Sequence, residues 1–188
     1  MSADIQSTYV SIARAWVTCL GCYASRWNGR WYDESQLDEL PTRCDVCGGD
    51  EFWVTDFESN YCRPREMSPA EFVEFCEFWV GIAAVHHDDE IEVARAYWDN
   101  VGMTYAPDDP DEFMDTACER FVFRCDGSSD GDLGYAYDEW LEETGQPCAG
   151  DLPQPFAYAI DWESLGRQLR YDFSVTEFDG TAFVFFNG

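Results

Sequence analysis

Ser68-Pro-Ala-Glu-Phe-Val-Glu-Phe-Cys-Glu-Phe-Trp79 holds the two properties on which the reading of this 188-residue chain turns. Ser68 can accept a hydrogen bond from the first helical turn, Pro69 suits the first helical position, and Glu71 completes a capping box. Phe72, Phe75, Cys76 and Trp79 then follow the i, i+3, i+4, i+7 spacing of a core-facing stripe. Glu71, Glu74 and Glu77 fall outside that stripe. The stretch predicts a helix with one buried side and carboxylates elsewhere, and no basic residue offsets them.

The same pattern recurs downstream. A second helix is expected from Asp88 or Asp89 to about Trp98. A third starts at Asp109-Pro110, with Glu112 placed to close another capping box and Phe113, Met114, Ala117, Cys118 and Phe121 as its buried side. Asp111, Asp115 and Glu119 are four residues apart, so they share a face at about 6 Å spacing. Asp126 to Asp132 reads as a loop. Leu133 to Thr144 reads as a helix stopped by Gly145, bearing the pairs Asp138/Glu142 and Glu139/Glu143. Asp161 can cap a short helix through Leu169.

Strand patterns flank these helices. Trp16 to Leu20, the turn signal Asn28-Gly29 and Arg30 to Tyr32 read as a hairpin. A short acidic helix fits Asp33 to Leu40, and Glu51 to Phe57 returns as a strand. At the other end, Phe173 to Phe178, Asp179-Gly180 and Thr181 to Phe186 read as a second hairpin. The fold class is therefore α+β in three small modules. Residues 1–66 are β-rich, 67–102 are helical and acidic, and 103–188 are acidic α+β ending in the hairpin.

Thirty-eight Asp and Glu face eleven arginines and no lysine, a formal net charge of −27. Solubility needs a magnitude of only about 2–8 in a small domain. The net is −5 over residues 1–66, −12 over 67–118 and −10 over 119–188. With 46% hydrophobic and 17% aromatic residues, the chain has ample material for cores, unlike acidic disordered segments. Such a charge repels nucleic acid and anionic membrane. It attracts basic surfaces, the richest of which belong to proteins that bind DNA or RNA.

Regularity sharpens this. Duplex DNA presents one negative charge per about 1.7 Å of axis, so 27 charges match about 46 Å, or roughly 13 base pairs. Helix-borne carboxylates about 6 Å apart are spaced much like neighbouring phosphates. The candidate phosphate surrogates are Glu71, Glu74, Glu77, Asp88, Asp89, Glu90, Glu92, Asp111, Asp115, Glu119, Asp138, Glu139, Glu142 and Glu143. An acidic, lysine-free composition also suits salt adaptation, which stays open as an alternative.

Nine cysteines add a separate signal. Cys19-x2-Cys22 and Cys44-x2-Cys47 lie 21 residues apart, and this double CxxC spacing points to a zinc ribbon-like site. Four thiolates close a tetrahedron and leave no position for a reacting water, so the zinc expected here is structural. The alternative is a strand with two small apolar cysteines plus a reactive dithiol at Cys44 and Cys47. Cys62, Cys125 and Cys148 show no ligand spacing, and Cys76 and Cys118 read as packing on helix stripes.

Several function classes find no support. No apolar run reaches the length of about 18 residues that a membrane span needs, and the start has no basic-then-apolar leader pattern. A cytoplasmic address is expected. His86 and His87 are adjacent and point to different sides of a helix. There is no P-loop, dinucleotide-binding glycine pattern or nucleophile elbow, so no enzyme is expected.

Five colinear pieces resemble the ArdA antirestriction proteins. Val17-Thr-Cys-Leu-Gly-Cys-Tyr23 with Asn28-Gly-Arg-Trp-Tyr-Asp33 is similar to the family's opening strand and hairpin, and Trp53-Val-Thr-Asp-Phe-Glu58 to its next strand. Ser68 to Trp98, including Asp89-Glu-Ile-Glu-Val-Ala-Arg95, resembles the middle helical region. Leu133 to Gly145 resembles the later acidic helix. Tyr158-Ala-Ile-Asp-Trp-Glu-Ser-Leu-Gly-Arg167 with Phe183-Val-Phe185 resembles the C-terminal signature. The likeness implies an elongated, multi-domain homodimer, carried by a mobile element, that mimics bent B-form DNA. Its partner would be the DNA-binding core of a type I restriction–modification enzyme, with no direct contact to nucleic acid. The two CxxC pairs, the stretch Phe121 to Gly131 and the leading residues Met1 to Ala13 stand outside the likeness. The alternative function is an acidic zinc-ribbon adaptor for a basic nucleic-acid-binding protein.

Overall fold

The computed structural model of the chain describes residues 11–25, 29–62 and 65–187. It is an α+β structure in which small antiparallel sheets alternate with helices. Packing divides it into two compact units: Met1–Val85 with Thr104–Pro110, and His86–Met103 with Asp111–Gly188. No helix among the described residues is long and apolar enough to cross a membrane.

The first unit is built on a three-stranded sheet ordered β2-β1-β3, from β1 (Ala13–Cys19), β2 (Gly29–Asp33) and β3 (Phe52–Ser59). β1 pairs antiparallel with both neighbours. The hairpin expected between β1 and β2 forms, although Asn28 of its turn lies outside the described residues. Ala13, Ala15, Val17 and Cys19 alternate along β1 and are buried, as a strand covered on one face requires. α1 (Pro69–Val85) packs with this sheet through Phe72 and Phe75, which meet Phe57 edge-on at 6.1 and 5.4 Å. On the sheet's outer face Trp16 and Trp31 pair at 5.8 Å beneath the Arg14 guanidinium. The acidic helix expected at Asp33 to Leu40 is a kinked 3-10 segment, Glu34–Glu39, started by the Asp33 side chain.

The second unit centres on a sheet ordered β4-β6-β5, from β4 (Phe121–Asp126), β5 (Phe173–Phe178) and β6 (Thr181–Phe186). The C-terminal hairpin has the expected bounds, with Asp179 and Gly180 both at positive φ in its turn. Ala182 through Phe185 are all buried, because the central strand is covered on both faces. On one face Phe185 meets Tyr97 of α2 (Asp88–Val101) at 5.4 Å and Phe183 meets Phe121 at 6.3 Å. Phe113 of α3 (Pro110–Arg120) packs beside them against Trp98 at 6.0 Å. On the other face Ala182 and Val184 join Val122, Phe123, Leu133 and Leu169 in a core closed by α4 (Asp130–Glu143) and α5 (Trp162–Asp172).

Three expectations need correction. The helix ending the acidic stretch starts at Asp130 rather than Leu133. Ser129 accepts from the Asp132 amide at 3.2 Å and Asp132 accepts from the Ser129 amide at 3.3 Å, a capping box hidden in the stretch read as a loop. Phe121 does not continue α3 but opens β4, where it pairs with Phe185. Cys118 is exposed rather than packed. At about 100° per residue it lies roughly 90° from the centre of the Phe113, Met114, Ala117 stripe.

The helix start at Ser68 forms as read: Glu71 N–H donates to Ser68 Oγ at 3.2 Å and Ser68 N–H donates to Glu71 Oε2 at 2.5 Å. These bonds hold the Glu71 carboxyl below the usual carboxylate range. A carboxyl lowered on folding stabilises above its unfolded pKa and loses that contribution as pH falls through its folded pKa. Ser68→Ala should cost about 1 kcal/mol in urea unfolding at neutral pH. The smaller deficit of Glu71→Gln should vanish at acid pH; a deficit independent of pH would contradict the cap.

Candidate functional site

Two features stand out: a cysteine tetrad in the first unit and carboxylates carried on helices of both units.

The tetrad forms where β1 ends and where the segment before β3 turns. Cys19 closes β1 and Cys22 lies in the 3-10 turn that follows. The second pair sits on a loop closed by Cys44 N–H to the Gly49 carbonyl at 2.7 Å and Gly48 N–H to the Cys44 carbonyl at 2.8 Å. Gly48 has φ of +72°, a left-handed conformation that glycine adopts without strain. Leu20 N–H bonds to the Glu51 carbonyl at 3.0 Å and ties the two turns together.

The four Sγ atoms lie within 4.8 Å of one another. Cys19 and Cys47 are 3.5 Å apart and Cys22 and Cys44 are 3.8 Å apart. A tetrahedron with zinc–sulfur bonds of about 2.3 Å has sulfur–sulfur edges of about 3.8 Å, so the arrangement is compatible with zinc. Room for the sulfurs depends on two glycines: a Cβ at Gly21 or Gly49 would stand 3.3 Å from Cys47 Sγ. Backbone amides of Cys47 and Val46 pull the Cys44 thiol down to about 6, while burial pushes the Cys19 thiol up. Gly49 N–H donates to Cys47 Sγ at 3.4 Å. The amide bonds at Cys44 favour thiolate, the form that ligates metal. The apolar cluster at this end is Cys19, Cys22 and Cys44 with Phe52 beside them, so sulfur takes the place of a larger core.

The fourteen singled-out carboxylates fall into two groups. Five make hydrogen bonds or ion pairs within their own unit. Glu71 closes the α1 cap, and Glu90 accepts from the His87 amide and pairs with His86, both at 3.2 Å. Asp89 and Glu92 hold Arg124 at 3.3 and 2.8 Å. Asp138 accepts from the Ala149 amide at 2.7 Å. Asp111 is engaged as well, and Glu74, Glu77, Asp88, Asp111, Asp115, Glu119, Glu139, Glu142 and Glu143 are all exposed. On α3 the row Asp111, Asp115, Glu119 lies away from buried Phe113, Met114 and Ala117.

The second unit holds 22 of the 38 acids against five arginines, a net of −17. Its arginines are largely engaged internally. Arg95 bridges to Asp179 at 3.1 Å, Arg124 to Asp89 and Glu92, and Arg167 and Arg170 both to Asp130. These bridges concentrate neutralisation on Asp179, Asp89, Glu92 and Asp130. A groove of about 680 Å³ in this unit is lined by Glu92, Arg124, Asp126, Asp132, Tyr135 and Glu139. Asp126 and Asp132 were not among the residues singled out from sequence. The Ser129-x-x-Asp132 cap was the available signal for the second.

The family model described as antirestriction protein (ArdA) matches residues 15–184. A search of the curated proteins found no match.

Rows of like charge oppose folding, and salt screens them over about 30 Å at 0.01 M but only about 3 Å at 1 M. The protein should remain folded at 0.01 M salt and its melting temperature should rise steadily with added NaCl. A melting temperature indifferent to salt would mean the rows do not repel.

Proposed function

This chain belongs to the ArdA antirestriction protein family, and from that premise we propose that it inhibits by mimicking duplex DNA. Its target in this reading is the DNA-binding groove of a type I restriction–modification enzyme. The exposed carboxylate rows occupy the positions that phosphates would take against arginines and lysines lining the groove. The inhibitor performs no chemistry; protein and DNA compete for the same cations. Supporting the reading is one observation above others: exposed acids at i, i+4 on α3 and α4, in a unit where Arg95, Arg124, Arg167 and Arg170 pair with acids of the same unit. The fourteen carboxylates named above share the load, and no single one dominates, because a screened surface charge contributes little alone.

The same reading makes the active form a homodimer, which doubles the charge presented, and places the gene on a mobile element that gains by evading restriction. Zinc in the cysteine tetrad is structural here: with all four positions filled by thiolates it holds the ends of β1 and β3 and activates no water. A second reading, an adaptor that uses the zinc turns to grip a basic partner, draws on exposed Leu20, Tyr23 and Val46 beside the ligands. The two differ in where binding maps, residues 15–60 for the adaptor and the acidic helices for the mimic.

Purified protein should displace duplex DNA from a type I methyltransferase, with affinity falling steeply as salt rises. Neutralising Asp111, Asp115 and Glu119 singly to Asn or Gln should weaken inhibition less than about threefold each, and together by considerably more. Complete loss from one substitution would contradict a distributed mechanism. Chelation of zinc should lower the melting temperature of the first unit and leave that of the second unchanged.

A further inference from the structure

The tetrad has an asymmetry that a purely structural site does not need. Cys19, Cys22 and Cys44 are buried, whereas Cys47 is exposed. The sulfur approaches of 3.5 and 3.8 Å run between the two CxxC turns, Cys19 with Cys47 and Cys22 with Cys44. Each approach already lies about 1.5–1.8 Å from the S–S bond length of about 2.0 Å. The sulfur facing solvent therefore has a buried partner within easy reach.

We infer that Cys47 is an oxidant-sensitive modification site through which peroxides convert the metal clasp into two disulfides, Cys19–Cys47 and Cys22–Cys44. The inference rests on the zinc reading above. In the first step Cys47 thiolate attacks one peroxide oxygen; the O–O bond breaks, hydroxide leaves and takes up a proton, and Cys47 becomes a sulfenic acid. Cys19 thiolate then attacks the Cys47 sulfur, the S–S bond forms, and the hydroxyl departs and is protonated to water. Two thiolates have lost one electron each and one peroxide has become two waters. With two ligands gone, the site no longer retains its ion. A second peroxide joins Cys22 to Cys44 by the same chemistry, and a thiol reductant reverses both steps.

Both products tie the end of β1 to the loop before β3, so the oxidised unit keeps its strand pairing. What changes is the pair of turns carrying Leu20 and Tyr23 on one side and Val46 on the other, because the sulfurs draw together. Cys118, also exposed, has none of these neighbours within ligand distance, which makes it the internal control.

The test uses the full chain, purified under reducing conditions and analysed for metal before any oxidant is added. Hydrogen peroxide is then added while released zinc is read with a chromogenic chelator and disulfides are mapped by peptide mass spectrometry without reduction. The expected result is one zinc per chain, release in step with the Cys19–Cys47 link, and recovery with dithiothreitol and zinc. Cys47→Ser should slow release at least tenfold, and Cys118→Ser should leave it unchanged. Should Cys47→Ser fail to fold, the disulfide map of the unsubstituted chain decides alone. Absence of zinc from the reduced protein overturns the zinc reading and the inference with it. Zinc present but stable to peroxide, or lost with links inside a turn (Cys19–Cys22, Cys44–Cys47), leaves the zinc reading standing and overturns the inference.

Discussion

Repulsion among carboxylates is the constraint to which the rest of this structure answers. Thirty-eight acids with eleven arginines set a cost that local pairing along the helices does not remove, since like charges four apart destabilise a helix by about 0.2–0.5 kcal/mol per pair. Stability has to come from elsewhere. Part comes from the ends of helices, where Ser68, Ser129 and Asp161 cap with side-chain oxygens. Carboxylates placed there sit against the positive end of the helix dipole. Part comes from aromatic cores, with Phe72, Phe75 and Trp79 in one unit and Tyr97, Trp98, Phe113 and Phe185 in the other. Arg95, Arg124, Arg167 and Arg170 add ion pairs within the second unit, which tie α2 to the β5–β6 turn and to β4, and α5 to α4.

The first unit meets the constraint differently from the second. Its sheet is covered by one α-helix, and beyond Phe52 its far end offers sulfur rather than hydrocarbon. A metal held by the four sulfurs, which lie within 4.8 Å of one another, would concentrate there the cohesion that a larger unit spreads over many apolar contacts. The second unit has a central strand buried on both faces and helices on each side, and it carries the greater negative charge.

Legibility in the sequence followed the range of the interaction. Ser68 to Trp79 and the hairpin at Asp179-Gly180 were readable because caps, stripes and tight turns are written within a few residues. The tetrad was readable because its spacing is itself a motif. β4 was not: Phe121 follows α3 without a turn residue, and its strand character comes from pairing with Phe185 far along the chain. The pairing of Arg124 with Asp89 and Glu92 was likewise hidden, so sequence could name those acids but not say that they were engaged. The packing of Thr104–Pro110 with the first unit is another long-range outcome. The start of α4 was legible in principle, since Ser129 and Asp132 have capping-box spacing, but the surrounding glycines and serines outweighed it.

The crossing of α4 and α5 carries a consequence of its own. A Cβ at Gly134 would lie 2.3 Å from the Trp162 carbonyl oxygen, and one at Gly166 only 1.7 Å from that of Asp130. At these two points the helices therefore touch main chain to main chain, each presenting a glycine to the other's first turn, while Tyr135 stacks on Trp162 at 4.5 Å beside them. Glu139, Glu142 and Glu143 are thus carried on a stiff two-helix backbone, and what a partner would have to immobilise is their side chains rather than the main chain. If those carboxylates meet a cationic groove as proposed above, such a backbone would select by lattice spacing as well as by sign, which a supple polyanion of equal charge cannot do.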